Sequence, residues 1–237
     1  MKTIFGLTLK SAIRDPFLLF WSIFLPIVGS VSLGLFIKQT GYSQRIVIGM
    51  MAAGVLFYAF TTTAFTILSQ RRRGVYNLLH VTPMPLWEYI CSVSGAWTVI
   101  SFLCAMLVLM VGKLIFKFDL YAISILMLLP VVLIAAIGYV LLSFFVSSLC
   151  KTEAHVSMVT NLVAMPLLFC SDAFYGLEKA PISLRTITYF NPFQWFVNGL
   201  RSSMSLNVNT WLVSTGLLLF IMVIALILAV RTFKFEH

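Results

Sequence analysis

The sequence predicts an all-α polytopic fold, that is, a protein whose helices cross a membrane several times. Hydrophobic residues make up 61% of its 237 residues and charged residues only 10%, whereas soluble domains carry about 25% charge. The mean hydropathy is +1.03, and apolar runs of roughly 20 residues, the length that spans a bilayer, recur along the chain. No linker or repeat divides these runs, so we predict a single membrane domain over residues 1–237.

The first predicted element lies before the spans. Residues 1–15 combine apolar side chains with Lys2, Lys10 and Arg14, a mixture typical of an amphipathic helix lying in the membrane interface. Pro16 then marks the turn into the first span. A frayed polar tail is the alternative for this segment.

The six predicted spans are defined by their length and apolar composition. They cover residues 17–37, 46–68, 87–111, 120–149, 156–170 and 211–230. The fourth run is long and contains Pro130, which predicts a tilt or a kink. The fifth is short and contains Asn161 and Pro166. An even number of spans returns both termini to the same side.

The basic residues predict the orientation in the membrane. Residues 71–73 are three consecutive arginines that directly follow the second span, where positive charge most strongly resists translocation. We therefore place residues 69–86 and both termini in the cytoplasm of a multi-pass protein of the cell membrane. The formal net charge of +9 lies at the ends of apolar runs, so we expect membrane lipid, and no nucleic acid, as a partner.

The patterns of most enzyme sites are missing from the sequence. It has no G-x-x-x-x-G-K-[ST] loop for phosphates, no glycine-flanked serine of the hydrolase type, and no histidine or cysteine set at metal-ligand spacing. We therefore expect neither catalytic residues nor a metal or cofactor bound by this chain. All seven acidic residues lie at span ends, in loops or in the tail. This disfavours an ion-coupled carrier, although backbone carbonyls can also bind sodium.

Two passages stand out from the spans. The loop SQRRRGVYNLLHVTPMP, residues 69–85, has a short helical pattern of apolar residues after its arginines, which favours a docking element; a solvated loop that anchors the membrane side is the alternative. Residues 170–201 are too apolar for an ordinary outer loop, and a pair of short re-entrant helices would bury them in the outer leaflet. In this segment Pro181 is suited to a helix start, and Asn191 with Pro192 to a break.

Taken together, these passages resemble the permease subunit of type-2 ABC exporters. The resemblance covers nearly the whole chain and is carried by the following residues: the RDP ending of the first helix at Arg14, Asp15 and Pro16; Arg73, Gly74, Leu79 and Pro83 in the first loop; and Phe174, Tyr175, Leu177, Pro181, Asn191, Pro192 and Arg201 before the last span. Two departures are visible. Gln70 and Arg72 occupy a region where the family usually has a glutamate, and Asp172 and Gly176 stand where a glycine and a proline are common.

The resemblance implies a division of labour between subunits. Two permease subunits pair, and each docks a separate cytoplasmic ATPase that holds the ATP and magnesium. Residues 71–83 would form the coupling helix, and three groups of residues would have roles. The ATPase-coupling residues would be Arg71, Arg72, Arg73, Gly74, Val75, Leu78, Leu79 and Pro83, with Arg14 as a supporting anchor. The pathway would be lined by Phe57, Tyr58, Thr61 and Thr62 of the second span and by Met158, Asn161, Met165 and Phe169 of the fifth. The outer gate, within residues 172–200, would use Phe174, Tyr175, Pro181, Asn191 and Pro192.

The expected function is export of a hydrophobic or amphipathic molecule, such as a drug, an antibiotic or an antimicrobial peptide. Export of a lipid or a polysaccharide is an alternative within the same family. An ion-coupled carrier and a membrane assembly protein without transport activity are alternatives from other classes. For the pathway residues, packing within the chain or contact with lipid is the alternative role.

Overall fold

The computed structural model describes residues 2–14, 16–36, 41–74, 86–177 and 181–233, and every regular element in these ranges is a helix. In chain order the helices are α1 Lys2–Ile13, α2 Pro16–Phe36, α3 Tyr42–Arg72, α4 Leu86–Phe116, α5 Ala122–Leu149, α6 Glu153–Phe169, α7 Ile182–Tyr189, α8 Pro192–Ser205 and α9 Val208–Phe233. The predicted all-helical fold is confirmed for the described part of the chain.

Four of the described helices, α3, α4, α5 and α9, are long and apolar enough to cross a membrane. They correspond to the second, third, fourth and sixth predicted spans, with ends that differ from the prediction by at most five residues. Among the residues whose side chains the structure describes, α2 and α6 have shorter apolar stretches, Ile23–Phe36 and Glu153–Phe169. The count of six spans therefore stays a prediction.

Helix α5 lies at the centre of the bundle and packs against α9, α8, α3 and α4. Glycines let neighbouring helices approach closely: a Cβ atom at Gly112 would come within 2.6 Å of Val47, and one at Gly199 within 2.8 Å of Val131. Lipid tails are as apolar as leucine, so close van der Waals packing of this kind holds membrane helices together. Helix α1 packs against α4 with Thr8 and Ala12 buried.

Helix α3 contains a π-helical turn, Phe57–Thr62, in its middle. Turns of this type widen the hydrogen-bond spacing to i→i+5 and are frequent at functional sites. Within this turn, the ring of Tyr58 packs against that of Trp97 on α4, with 5.6 Å between ring centroids. The predicted three-to-four-residue spacing of the pathway residues on this span assumed a regular α-helix, which the structure does not show here.

Contacts between distant residues define two ends of the bundle. At one end, which we call the Asp172 end, the start of α3 meets the segment after α6 through Arg45 and Asp172. At the other, which we call the Arg71 end, the end of α3 meets the end of α5 through Arg71 and Ser147. These two ends position the residues that the sequence singled out.

Candidate functional site

At the Arg71 end, one arginine closes the end of α5. Nη1 of Arg71 donates to the carbonyl oxygens of Ser147 and Ser148, both at 3.3 Å, and of Cys150 at 3.4 Å. The last carbonyls of a helix have no partner within the helix and carry the negative end of its dipole, so a guanidinium group stabilises them. Arg71 therefore ties the end of α3 to the end of α5.

The residues on either side of Arg71 contact two other helices. Oε1 of Gln70 accepts a hydrogen bond of 2.8 Å from the Tyr89 hydroxyl on α4. Arg72 forms an ion pair with Glu153, the first residue of α6, at 3.6 Å. Both charged side chains are more than half exposed, so this pair contributes little stability. Successive helical residues point about 100° apart, so residues 70, 71 and 72 each reach a different helix. We call residues 70–72 the α3 junction.

The predicted coupling helix falls mostly outside the described residues. The structure places Arg71 and Arg72 in the last turn of α3, not in a separate helix, and Arg73 directly after it. Gly74 follows with φ of 73°, a left-handed conformation that ends helices and favours glycine. Val75, Leu78, Leu79 and Pro83 lie among residues 75–85, outside the described part. Arg14, the supporting anchor, is exposed after α1.

At the Asp172 end, Asp172 is the centre of a hydrogen-bonded cluster. Its carboxylate accepts from Nη1 of Arg201 at 2.8 Å and from Nε2 of Gln194 at 2.7 Å, and lies 3.5 Å from Nη2 of Arg45. Its backbone N–H donates to Oε1 of Gln194 at 2.8 Å. Two arginines and one amide from α3 and α8 therefore hold a single acidic residue. We call these four residues the Asp172 cluster.

One face of α3 contacts the backbone of the segment that follows α6: two residues bind it, and a glycine leaves space for it. The Tyr42 hydroxyl donates to the carbonyl oxygen of Phe174 at 3.2 Å. Arg45 donates to the carbonyl oxygens of Asp172 at 2.8 Å and Tyr175 at 3.1 Å. Gly49 gives this segment room to approach α3. The spacing i, i+3, i+7 places all three on the same helical face.

Helix α8 contributes a polar stripe to the same cluster. Gln194, Asn198 and Arg201, at i, i+4 and i+7, share one face, and Gln194 donates to Oδ1 of Asn198 at 2.9 Å. On the other side of the helix, Phe193 and Phe196 are fully buried inside the bundle. The polar stripe has its partners in the Asp172 cluster, which satisfies polar groups that would otherwise be costly to bury.

The predicted outer-gate residues lie around this cluster. Asn191 caps α8, since its Oδ1 accepts from the Phe193 backbone at 2.9 Å, and Nδ2 donates to the carbonyl oxygens of Leu167 and Cys170 at the end of α6. Pro192 is the first residue of α8, and Pro181 precedes α7. The predicted helix start and break are confirmed; whether these helices are re-entrant stays a prediction. The other two gate residues are Phe174, half-buried, and Tyr175, exposed, whose hydroxyl donates to the carbonyl oxygen of Phe169.

The charge state of Asp172 makes the cluster sensitive to acid. Burial raises the pKa of this carboxyl, but hydrogen bonds from Arg201 and Gln194 and the charges of Arg201 and Arg45 outweigh burial, so its pKa lies below the ordinary value of 3.8. A lowered pKa in the folded state contributes stability that is present above the unfolded pKa and is lost as the pH falls through the folded pKa.

We therefore expect the contribution of Asp172 to stability to be constant from pH 7 to about pH 5 and to be lost only below about pH 4. Thermal unfolding of the purified protein over this pH range measures it, with Asp172→Asn as the control that lacks this titration. The expectation is wrong if the difference between wild type and variant already disappears between pH 7 and pH 5.

A second prediction concerns the approach of the segment to α3. A Cβ atom at Gly49 would lie 2.7 Å from the carbonyl oxygen of Ala173, so Gly49→Ala must displace the segment and is expected to destabilise the protein by about 1–3 kcal/mol. Thermal unfolding measures this. Gly216→Ala on α9 is the matched control, because nothing lies within 4 Å of its Cβ position, and it should be neutral or slightly stabilising. Equal unfolding temperatures for the two variants would contradict the prediction.

The π-helical turn that carries the predicted pathway residues of α3 packs against α6, which carries the others. On α6 the predicted residues are exposed: Met158 by 66%, Met165 by 39% and Phe169 by 61%, with Asn161 also exposed. On α3, Tyr58 is buried, and the other three, Phe57, Thr61 and Thr62, are half-buried. Their role in a pathway stays a prediction.

Sequence reasoning missed the roles of Arg45 and Gln194 and noted Asp172 only as a departure from the family pattern. The i, i+4, i+7 stripe of Gln194, Asn198 and Arg201 in an otherwise apolar passage was the available signal. Among the residues that the structure describes, no group of three histidine, cysteine, aspartate or glutamate side chains could hold a metal ion. The expectation that no cofactor is bound stays a prediction.

Comparison with known proteins identifies the family. A family model described as ABC-2 type transporter matches residues 1–205. The probable multidrug ABC transporter permease YbhR of Escherichia coli K12 is 21% identical over 157 residues, which are 66% of this chain and 42% of YbhR. The inner membrane transport permease YadH of the same strain is 25% identical over 164 residues, which are 68% of this chain and 62% of YadH. The match therefore spans less than two thirds of either relative. Because the family model covers most of the chain, this protein belongs to the ABC-2 type transporter family.

Proposed function

We propose that the chain is the permease subunit of an ABC exporter and that it moves a hydrophobic or amphipathic molecule out of the cell. The energy would come from ATP hydrolysed on a separate cytoplasmic ATPase bound at the Arg71 end. The observation that supports this most is the family match over residues 1–205, which includes the loop at residues 69–85. In this proposal both termini and the Arg71 end face the cytoplasm.

The α3 junction supplies a route for force from the ATPase. Residues 71–83, with Val75, Leu78 and Leu79 as the docking side chains, would take up the motion of the ATPase. Gln70, Arg71 and Arg72 contact α4, α5 and α6, so a displacement of this turn pulls on three helices at once. Arg71 is central because its three hydrogen bonds reach the end of the helix in the middle of the bundle.

A second permease subunit would cover the exposed face of α6. The amide of Asn161 donates to Oγ of Ser157 at 3.4 Å on this face, between exposed apolar side chains such as Met158 and Leu162. A polar side chain facing lipid is costly, so such residues usually face a partner helix or a water-filled path. Met158, Asn161, Met165 and Phe169, with Phe57 and Thr61 of α3, would line the pathway between the two subunits.

The side chains on the exposed face of α6 suggest the class of substrate. Methionine and aromatic side chains adapt to apolar molecules of different shape, and a drug-like or amphipathic peptide substrate suits them. The description of the relative YbhR as a probable multidrug ABC transporter permease is consistent with this choice. The gate on the outer side would be the segment held by the Asp172 cluster, with Phe174, Tyr175, Pro181, Asn191 and Pro192 around it.

Transport by a reconstituted pair tests the proposal. The chain is purified together with a candidate ABC ATPase, identified by a P-loop in a neighbouring reading frame, and placed in liposomes. A hydrophobic fluorescent dye is added to the outer medium. When ATP is added outside, the molecules whose ATPase faces the outer medium should carry the dye into the liposomes. We expect Arg71→Ala to lose most of this transport while it still binds the ATPase. Arg231→Ala is the matched control, because Arg231 is an exposed arginine near the end of α9, outside the α3 junction and the coupling residues, and it should transport at nearly the wild-type rate.

Two results would contradict the proposal. Accumulation driven by an ion gradient in liposomes with the isolated chain would favour a carrier. Equal transport by Arg71→Ala and Arg231→Ala would show that force does not pass through the α3 junction.

A further inference from the structure

We propose that a groove at the Asp172 end binds the phosphate head group of an anionic membrane lipid. Two cavities of about 410 Å³ and about 520 Å³ adjoin there and share Gly41 and Gln44 in their walls. The first is also lined by Arg45 and Arg201, and the second by Lys117. We call the two cavities together the head-group groove.

The first part of the groove has an excess of positive charge. Arg45 and Arg201 carry two positive charges and share the single carboxylate of Asp172, at 3.5 Å and 2.8 Å. Among the described residues, Asp172 lines a different cavity, together with Arg185, and no acidic residue lines this part of the groove. One positive charge is therefore left for an anion to balance from the groove.

Both guanidinium groups keep unused donors. Arg45 binds the segment after α6 through Nε and Nη2, and Arg201 binds Asp172 through Nη1 and Nη2. Within the part of the chain that the structure describes, Nη1 of Arg45 and Nε of Arg201 have no acceptor. The side chains are 28% and 36% exposed. Guanidinium groups bind phosphate oxygens through several N–H groups, and Gln44 and Ser205 in the same wall add an amide and a hydroxyl.

The second part of the groove leads to a surface that suits lipid. Its aromatic wall consists of Phe116, Phe118 and Tyr121, and aromatic side chains of this kind collect at membrane interfaces. Lys117 and Asp119 balance each other in charge. Near them, Leu114 is 75% and Ile123 is 61% exposed at the ends of α4 and α5. A lipid can therefore place its tails on these apolar residues and its phosphate at Arg45 and Arg201, whereas free phosphate would use only the arginine part.

The inference goes beyond the proposed function, because a lipid bound in this groove does not depend on an ATPase or on transport. It gives the two arginines a second role beside holding Asp172. A bound anionic lipid also explains how Arg45 and Arg201 can share the single carboxylate of Asp172 at the boundary of the apolar bundle.

The test uses the purified full-length protein in detergent micelles that contain equal amounts of phosphatidylglycerol and phosphatidylcholine. Mass spectrometry measures the lipids that remain with the protein after gel filtration. We expect about fivefold enrichment of phosphatidylglycerol, the ratio that corresponds to one net positive charge at a membrane surface. Equal retention of the two lipids would overturn the inference. In phosphatidylcholine micelles, added phosphatidylglycerol should raise the unfolding temperature, and inorganic phosphate, which uses only the arginine part, should raise it less. An equal rise with both would overturn the assignment to a lipid.

Matched variants locate the site. Gln44→Glu adds a carboxylate to both parts of the groove and is expected to abolish the enrichment. Ser183→Glu makes the same change of charge on the exposed surface of α7, and this variant should keep the enrichment of phosphatidylglycerol. Lys117→Asn is a second variant in case Gln44→Glu does not fold; asparagine tolerates the left-handed backbone there, with φ of 51°, and the enrichment should fall. If a folded Gln44→Glu variant, or Lys117→Asn, retains the full enrichment, the groove is not the site.

Discussion

Asp172→Asn is expected to lower the stability of the protein by about 2–3 kcal/mol, the cost of charge-assisted hydrogen bonds that lose their charge. The side chain is 22% exposed, so this figure lies below the about 3–5 kcal/mol seen when a fully buried ion pair loses one partner. Asparagine keeps the shape of the residue but cannot neutralise Arg45 and Arg201, which then repel each other. In a chain of this size, about 2–3 kcal/mol corresponds to a fall of about 5–10 °C in the unfolding temperature.

The matched control for this prediction is Asp119→Asn. Asp119 is exposed at the same end of the bundle, in the connection between α4 and α5, and the same loss of charge there should change the unfolding temperature by less than about 2 °C. If both variants unfold at the same temperature, the Asp172 cluster does not hold the segment after α6 to α3 and α8.

The second large effect is expected from the double variant Leu78→Asp with Leu79→Asp. If these residues dock in a groove of the ATPase, two carboxylates at an apolar contact would abolish the complex, since buried unpaired charge costs several kcal/mol per group. Copurification of the chain with a candidate ABC ATPase, from detergent-solubilised membranes, measures the loss.

A matched pair of changes on α7, far from the proposed docking loop, controls for the added charge. Ile182 and Ile187 are 82% and 52% exposed on α7 at the Asp172 end, and Ile182→Asp with Ile187→Asp should leave the complex intact. Copurification of the ATPase with the Leu78 and Leu79 double variant at the wild-type level would disprove the docking role of the loop.

Local signals in the sequence were sufficient to predict the positions of several helices. Pro181 and the pair Asn191 and Pro192 mark where α7 and α8 begin, because proline suits a helix start and asparagine can cap one. Apolar length gave the four long helices within a few residues. Both kinds of signal depend only on neighbouring residues, so they can be read without the fold.

The contacts that build the two sites could not be predicted in the same way. Arg45 and Asp172 lie 127 residues apart, and nothing in the neighbourhood of either residue identifies the other. The family resemblance placed the arginines at 71 and 72 in a coupling helix, but in the structure they complete the helix before it. Their partners lie at the ends of α5 and α6, and only the tertiary arrangement brings these ends together.

The π-helical turn at Phe57–Thr62 determines which neighbour each residue of the α3 junction can reach. A π turn accommodates about one residue more than an α-helical turn, and one residue rotates everything beyond it by about 100°. Removal of a single amino acid from this turn would therefore direct Gln70 and Arg71 away from Tyr89 and Ser147, although neither contact lies near the deletion. The rotational setting of the α3 junction is therefore fixed by a turn that ends at Thr62, well before the junction begins at Gln70.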